Sequence, residues 1–196
     1  MSSKPPTPPA GGGDFDLDFT NVQEAPPPEP SPQKLENARL EAIKGHEELH
    51  HAGFYVAMGR KSAKLIPPRD GSDKHTLLVV EDDRTLSKLL QEIFTTAGYN
   101  VRFAATRVQI NAEVNRQPLA DLMLLDVTLP DADGLKILAK LRSHPKYSEL
   151  PVIMMTGRAG AADVMQGLAA GADGYVTKPF KMSAMVGVVN AALGKS

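Results

Sequence analysis

Two kinds of hydrophobic spacing alternate along residues 75–196. Short, almost uninterrupted apolar runs occur at Thr76–Val80, Tyr99–Ala104, Leu122–Leu125, Pro151–Thr156 and Gly174–Thr177. Runs of this length bounded by turn residues are the pattern of strands buried on both faces of a parallel sheet. Between them, apolar residues recur at helical spacing: Leu86, Leu89, Leu90 and Ile93, then Val108, Ile110 and Val114, then Leu135, Ile137, Leu138 and Leu141. The Ala-rich Ala161–Ala170 and a last segment ending near Leu193 complete the series. Gly98, Pro118, Pro145, Gly171 and Pro179-Phe180 punctuate it. Five alternations of strand and helix predict an α/β fold, with a five-stranded parallel sheet, right-handed crossovers and helices on both faces.

The pattern dissolves toward the N-terminus. Nine of the sixteen prolines lie in residues 1–32, together with Gly11-Gly12-Gly13. Such a segment buries too little apolar surface to offset the entropy of ordering, and it reads as a disordered tail. One island interrupts it, Asp14-Phe15-Asp16-Leu17-Asp18-Phe19, where acids alternate with large apolar side chains. That alternation suits docking on a partner as an added strand or short helix, and equally a solvated tail. Residues 33–73 form an extension. Ser31-Pro32 offers a helix start, and Leu35, Ala38, Ala42 and Leu49 fall on one face of an amphipathic helix over 33–51. So modest a helix must pack on the folded domain or on another copy, which leaves a dimer open. Phe54–Met58 is apolar, Arg60–Lys64 is basic, and Pro67–Gly71 reads as a linker to a domain over 74–196.

Charge and composition narrow the function. Residues 1–32 carry −4, residues 33–74 carry +2 and residues 75–196 carry +1, which together give the net −1. No block is basic enough to suggest nucleic acid, so direct contact with it is not expected. Cysteine is absent, which excludes disulfides, thiolate chemistry and Cys-based zinc sites. No leader is evident and no apolar run approaches the roughly 18 residues of a membrane span, so a soluble, cytoplasmic protein is expected. His46-Glu47-Glu48-Leu49-His50 matches the zinc-protease pattern H-E-x-x-H. It lacks a third ligand, and a segment this short encloses no cleft, so a solvated helix face is the better reading.

The strand ends carry the chemistry. Glu81 and Asp82 follow the first strand and Asp126 ends the third, at the sheet edge where open α/β folds bind ligands. Pro130 and Gly134 turn the segment after Asp126 into a loop. Neighbouring carboxylates repel, so three together call for a cation. Oxygen-only donors in an open site suit Mg²⁺. The fourth strand ends in Thr156 and the fifth is followed by Lys178. Carboxylates, metal, hydroxyl and ammonium make a phosphoryl site in which Asp126 attacks in line.

Val79-Val80-Glu81-Asp82-Asp83, Leu124-Leu125-Asp126 with Pro130 and Gly134, Thr156-Gly157 and Lys178-Pro179-Phe180 together resemble the receiver domain of two-component response regulators, from about Lys74 onward. The resemblance implies a flavodoxin-like sheet in the order 2-1-3-4-5. It implies that Asp126 is the phosphoacceptor and that Asp82, Asp126 and the backbone carbonyl of Thr128 ligate Mg²⁺, with Glu81 acting mainly through metal-bound water. It also implies that Lys178 pairs with the phosphoryl group, that a cis peptide precedes Pro179, and that Thr156 and Tyr175 form the switch. Gly157 stands where a small side chain is commoner, which loosens the loop. Thr128 and Arg158, at the positions that tune hydrolysis, cannot hold an attacking water, so slow self-dephosphorylation is expected.

Two functions follow as expectations. In the first, the chain is a single-domain response regulator, not a conventional enzyme. It accepts a phosphoryl group from a histidine kinase or phosphotransfer protein and signals through a downstream protein. In the second it is a phosphorelay intermediate or phosphate sink, and the N-terminal extension only tethers it.

Overall fold

The computed structural model describes residues 56–59, 65–157 and 160–195, with Asp16, Pro32, Gln33, Glu36, Asn37 and Leu40 besides. The elements follow the hydrophobic pattern closely. The sheet contains β1 (Val56–Met58), β2 (Thr76–Val80), β3 (Asn100–Ala104), β4 (Leu122–Asp126), β5 (Val152–Thr156) and β6 (Gly174–Thr177). The helices between them are α1 (Arg84–Thr96), α2 (Arg107–Asn115), α3 (Gly134–Ser143), α4 (Ala161–Ala169) and α5 (Met182–Leu193). Pro32, Gln33, Glu36, Asn37 and Leu40 are helical, within or beside the helix expected over 33–51. The rest of that helix, most of the acidic island and His46–His50 lie outside the described residues.

Strand order is β1-β6-β5-β4-β2-β3. Leaving β1 aside, this is the expected 2-1-3-4-5 arrangement of parallel strands. The strand count is corrected from five to six. Val56-Ala57-Met58 runs antiparallel along the outer edge of β6, pairing Ala57 with Tyr175. The apolar run Phe54–Met58 was visible in the sequence, but three paired residues are too few for periodicity to reveal a strand. Ala57 is fully buried in the same cluster as Tyr175, whereas Val56 and Met58 pack on the other side of the sheet.

Burial on both faces explains why the strands lack polar alternation. Leu78, Val80, Met123, Leu125, Met154 and Tyr175 pack against Ile110, Val114, Ile137, Leu138, Val164 and Leu168 of α2, α3 and α4. Leu77, Val79, Leu122, Leu124, Ile153, Met155 and Val176 face α1 and α5 through Leu90, Phe94, Met185, Val188 and Val189. Each such side chain contributes about 1.5–3 kcal/mol by leaving water. The acids on the sheet's amino edge bind backbone. Asp121 is 1% exposed and accepts from the backbone N–H of Arg69 and of Thr76, both at 2.7 Å. Asp173 accepts from Val152 N–H at 2.8 Å and pairs with Arg142 at 2.9 Å. Asp83, Thr106 and Asp133 cap the N-termini of α1, α2 and α3, which fixes where those helices begin.

Tyr99 links the two packed helices of the second face. Its ring meets Phe94 edge-on at 5.9 Å and its hydroxyl donates to Asn190 Oδ1 of α5. Burial pushes its phenol up to about 12 from the ordinary 10.0. The folded pKa is the higher one, so this contribution is fully present below about pH 10 and is lost as pH rises toward 12. Chemical denaturation across that range should show stability falling more steeply in the wild-type chain than in Tyr99→Phe.

Candidate functional site

Four strands deliver the site to one edge of the sheet. Glu81 follows β2, and its backbone N–H donates to Ala104 of β3 at 3.0 Å. Its Oε1 accepts from Asp83 N–H at 3.2 Å, which holds the β2–α1 turn closed. Asp126 is the last residue of β4. Lys178 follows β6, and its backbone N–H donates to Thr156 at the end of β5 at 2.6 Å. The Lys178–Pro179 peptide is cis, and so is Gln117–Pro118, which the sequence did not announce.

The Lys178 ammonium joins the acids. Its Nζ lies 2.6 Å from Glu81 Oε2 and 2.6 Å from Asp126 Oδ2. One ligand oxygen from each of Glu81, Asp82 and Asp126 fits within a sphere where all lie within 4.8 Å of one another. Glu81 and Asp126 are buried while Asp82 is exposed, so the cluster opens to solvent on one side. Burial pushes the Glu81 carboxyl above the ordinary glutamate range, and the charge of Asp126 adds to this, against the opposing pull of Lys178. Burial works against the Lys178 ammonium, but its two carboxylate partners outweigh it and hold the group above the ordinary lysine value. Among the described residues, one ammonium stands among three acids, which leaves the pocket short of positive charge. Three oxygen donors and an open side fit a hard divalent cation that retains water.

The remaining expected residues sit around this core. Thr128 lies in the loop after β4, and its backbone N–H donates to Asp126 Oδ1 at 3.0 Å, which orients the carboxylate. Thr156 is fully buried at the end of β5, opposite Thr177. Tyr175 is not in the pocket. It lies two residues earlier on β6, is 1% exposed, and packs under α4, where a Cβ on Gly167 would come within 2.8 Å of its ring. Among the described residues nothing lies within 4 Å of where a Cβ on Gly157 would stand. Arg158 lies outside the described residues.

The structure adds residues that sequence reasoning did not single out. Asp131, in the loop after Asp126, accepts from Arg107 N–H through both oxygens at 3.2 and 3.0 Å and so caps α2 from the site. Asp133 accepts from Leu135 and Lys136 N–H and starts α3. The signal for both was the Asp-Ala-Asp-Gly run, read only as a loop.

A family model described as the response regulator receiver domain matches residues 77–190, more than half of the chain. The chain belongs to the response regulator receiver family. The receiver is 36% identical over 121 residues to RpaA of Synechocystis sp., named a DNA-binding dual master transcriptional regulator; the match covers 61% of this chain and 49% of RpaA. It is 38% identical over 112 residues to TorR of Escherichia coli, the TorCAD operon transcriptional regulatory protein, covering 57% and 47%. Among solved structures, a response regulator of Chloroflexus aurantiacus superposes with a TM-score of 0.59 at 34% identity, covering 63% of this chain and 100% of that one.

These names correct one expectation. The view that nucleic acid is not contacted directly fails against a relative named as DNA-binding. The receiver spans about half the length of the curated relatives it matches, so the charge balance read from its residues speaks only for that half. No helix among the described residues is long and apolar enough to cross a membrane.

The loop carrying the acids tolerates no added bulk at α3. A Cβ on Gly134 would lie 2.2 Å from the backbone oxygen of Asp126. Gly134→Ala should therefore cost about 3 kcal/mol in chemical denaturation and displace the Asp126 loop.

Proposed function

We propose that the receiver accepts a phosphoryl group on Asp126 from a phosphohistidine of a histidine kinase or phosphotransfer protein, in a Mg²⁺-dependent reaction. The observation that carries this reading is the Lys178 ammonium at 2.6 Å from both Glu81 and Asp126. It holds an attacking carboxylate and a cation side by side. An oxygen of Asp126 forms a bond to phosphorus while the P–N bond to the donor imidazole breaks, and that electron pair stays on the imidazole nitrogen. Asp82, Asp126 and the Thr128 carbonyl would hold Mg²⁺, with Glu81 acting through its water. When bound, the metal neutralises charge that develops on the transferring phosphoryl oxygens.

The protein's own groups do the rest. Thr128 N–H fixes one oxygen of Asp126 and leaves the other toward Lys178. Lys178 exchanges a carboxylate partner for a phosphoryl oxygen as charge builds there. Thr156, at the end of the neighbouring strand, then offers a hydroxyl to the new group. Tyr175 reports its movement beneath α4, which alters the surface around β5, β6 and their helices. The output is a change in affinity for a downstream protein. The names of RpaA and TorR favour a place in transcriptional control for it.

Incubation with labelled acetyl phosphate and Mg²⁺ tests the chemistry. The intact chain should be labelled, a chelator should abolish the label, and Asp126→Asn should reduce it to background. Lys178→Ala should slow labelling by about a hundredfold or more while the fold persists. An unlabelled wild-type chain would sink the proposal.

With Thr128 and Arg158 at the hydrolysis-tuning positions, the phosphorylated chain should decay over minutes or longer. Decay within seconds in the presence of Mg²⁺ would contradict this.

A further inference from the structure

Asp16, in the middle of the acidic island, accepts a hydrogen bond from Asn111 Nδ2 of α2 at 3.3 Å across 95 positions of sequence. Asn111 is half-buried and shares the outer strip of that helix with the exposed Val108 and Ala112, at i, i+3 and i+4 spacing. The inner strip, Ile110 and Val114, belongs to the core. Val108 stays 76% exposed with Asp16 in place, so the contact that Asp16 makes with the helix is a polar one. The strip is flanked by exposed arginines, Arg107 at its start and Arg116 just past its end, the latter paired with Glu113 at 3.2 Å. The sequence around Asp16 complements this surface. It supplies three carboxylates at Asp14, Asp16 and Asp18 and three large apolar side chains at Phe15, Leu17 and Phe19.

We propose that Asp14–Phe19 docks in cis on the outer strip of α2, its acids against Asn111 and the flanking arginines. The occupant is the chain's own N-terminal segment. Tethering turns such docking into an intramolecular event, and flexible connections give effective concentrations in the millimolar range, so a contact too weak to hold two separate molecules can still be populated. The docked segment withholds the strip from other partners. It lies one helical turn from Arg107, whose N–H is held by Asp131 of the phosphoacceptor loop.

The absence of native cysteine makes the test clean. In the full chain, the pair Asp16→Cys with Asn111→Cys is oxidised beside a control pair, Asp16→Cys with Lys88→Cys, which places the second thiol on an exposed position of α1 across the sheet. The first pair should close an intrachain disulfide about tenfold faster or more, at a rate independent of protein concentration. Adding Asp14→Ser and Asp18→Ser should bring it down to the control rate. Equal rates for the two pairs would overturn the proposal. Cross-linking only between chains, faster at higher concentration, would overturn it in favour of a second copy. Amide spectra of the cysteine-free chain give a measurement that leaves α2 unaltered. Asp14→Ser, Asp16→Ser and Asp18→Ser together should shift resonances of 107–116 while leaving α1 in place, and unchanged spectra would overturn the proposal.

Discussion

A lysine ammonium shared between two buried carboxylates is the interaction on which the site depends. Glu81, Asp126 and Lys178 come from the ends of three different strands, so their meeting requires every strand pairing between β2 and β6 to be in register. A one-residue slip would turn each strand's side chains to the opposite face and scatter the three groups. The apolar residues that fix this register, such as Val79, Leu124 and Met155, are fully buried. Core packing and site chemistry are therefore one constraint, since burying the strands aligns the charges.

The sheet uses carboxylates at both edges, to opposite ends. On the amino edge Asp121 and Asp173 are filled by backbone N–H donors and, for Asp173, by Arg142, so their charge is satisfied within the fold. On the carboxyl edge Glu81, Asp82 and Asp126 lie close together, and among the described residues the Lys178 ammonium pairs with two of them. The burial that raises the Glu81 carboxyl is the same burial that makes an added cation favourable. One edge is electrostatically finished and the other is left with unmet demand, and reactivity belongs to the second.

Most of this architecture was legible because its cause is local. Doubly buried strands must be continuous apolar runs, and the helices must carry apolar stripes, so Thr76–Val80 or Leu135–Leu141 could be read directly. The acids of the site were legible because they stand where such runs stop. What escaped depends on contacts that no period encodes. The strand Val56–Met58 exists because β6 offers it an edge. Asp131 caps α2 only because the fold carries the loop after β4 to the start of that helix. Asp121 stands just before the central run in the sequence, yet its two backbone partners lie 45 and 52 positions away. Nucleic acid was misjudged for another reason. Net charge describes the residues counted, and the matched segment is only about half of each relative.

The antiparallel strand β1 has a consequence for assembly. By pairing with β6 it covers the row of backbone donors and acceptors nearest Tyr175, and among the described strands that leaves β3 as the one parallel strand with an uncovered flank. Any neighbour that joins this sheet main chain to main chain must therefore approach beside Asn100–Ala104, the flank remote from the last two strands, or add to the outside of Val56–Met58, and it reaches β6 itself only by first peeling that strand away.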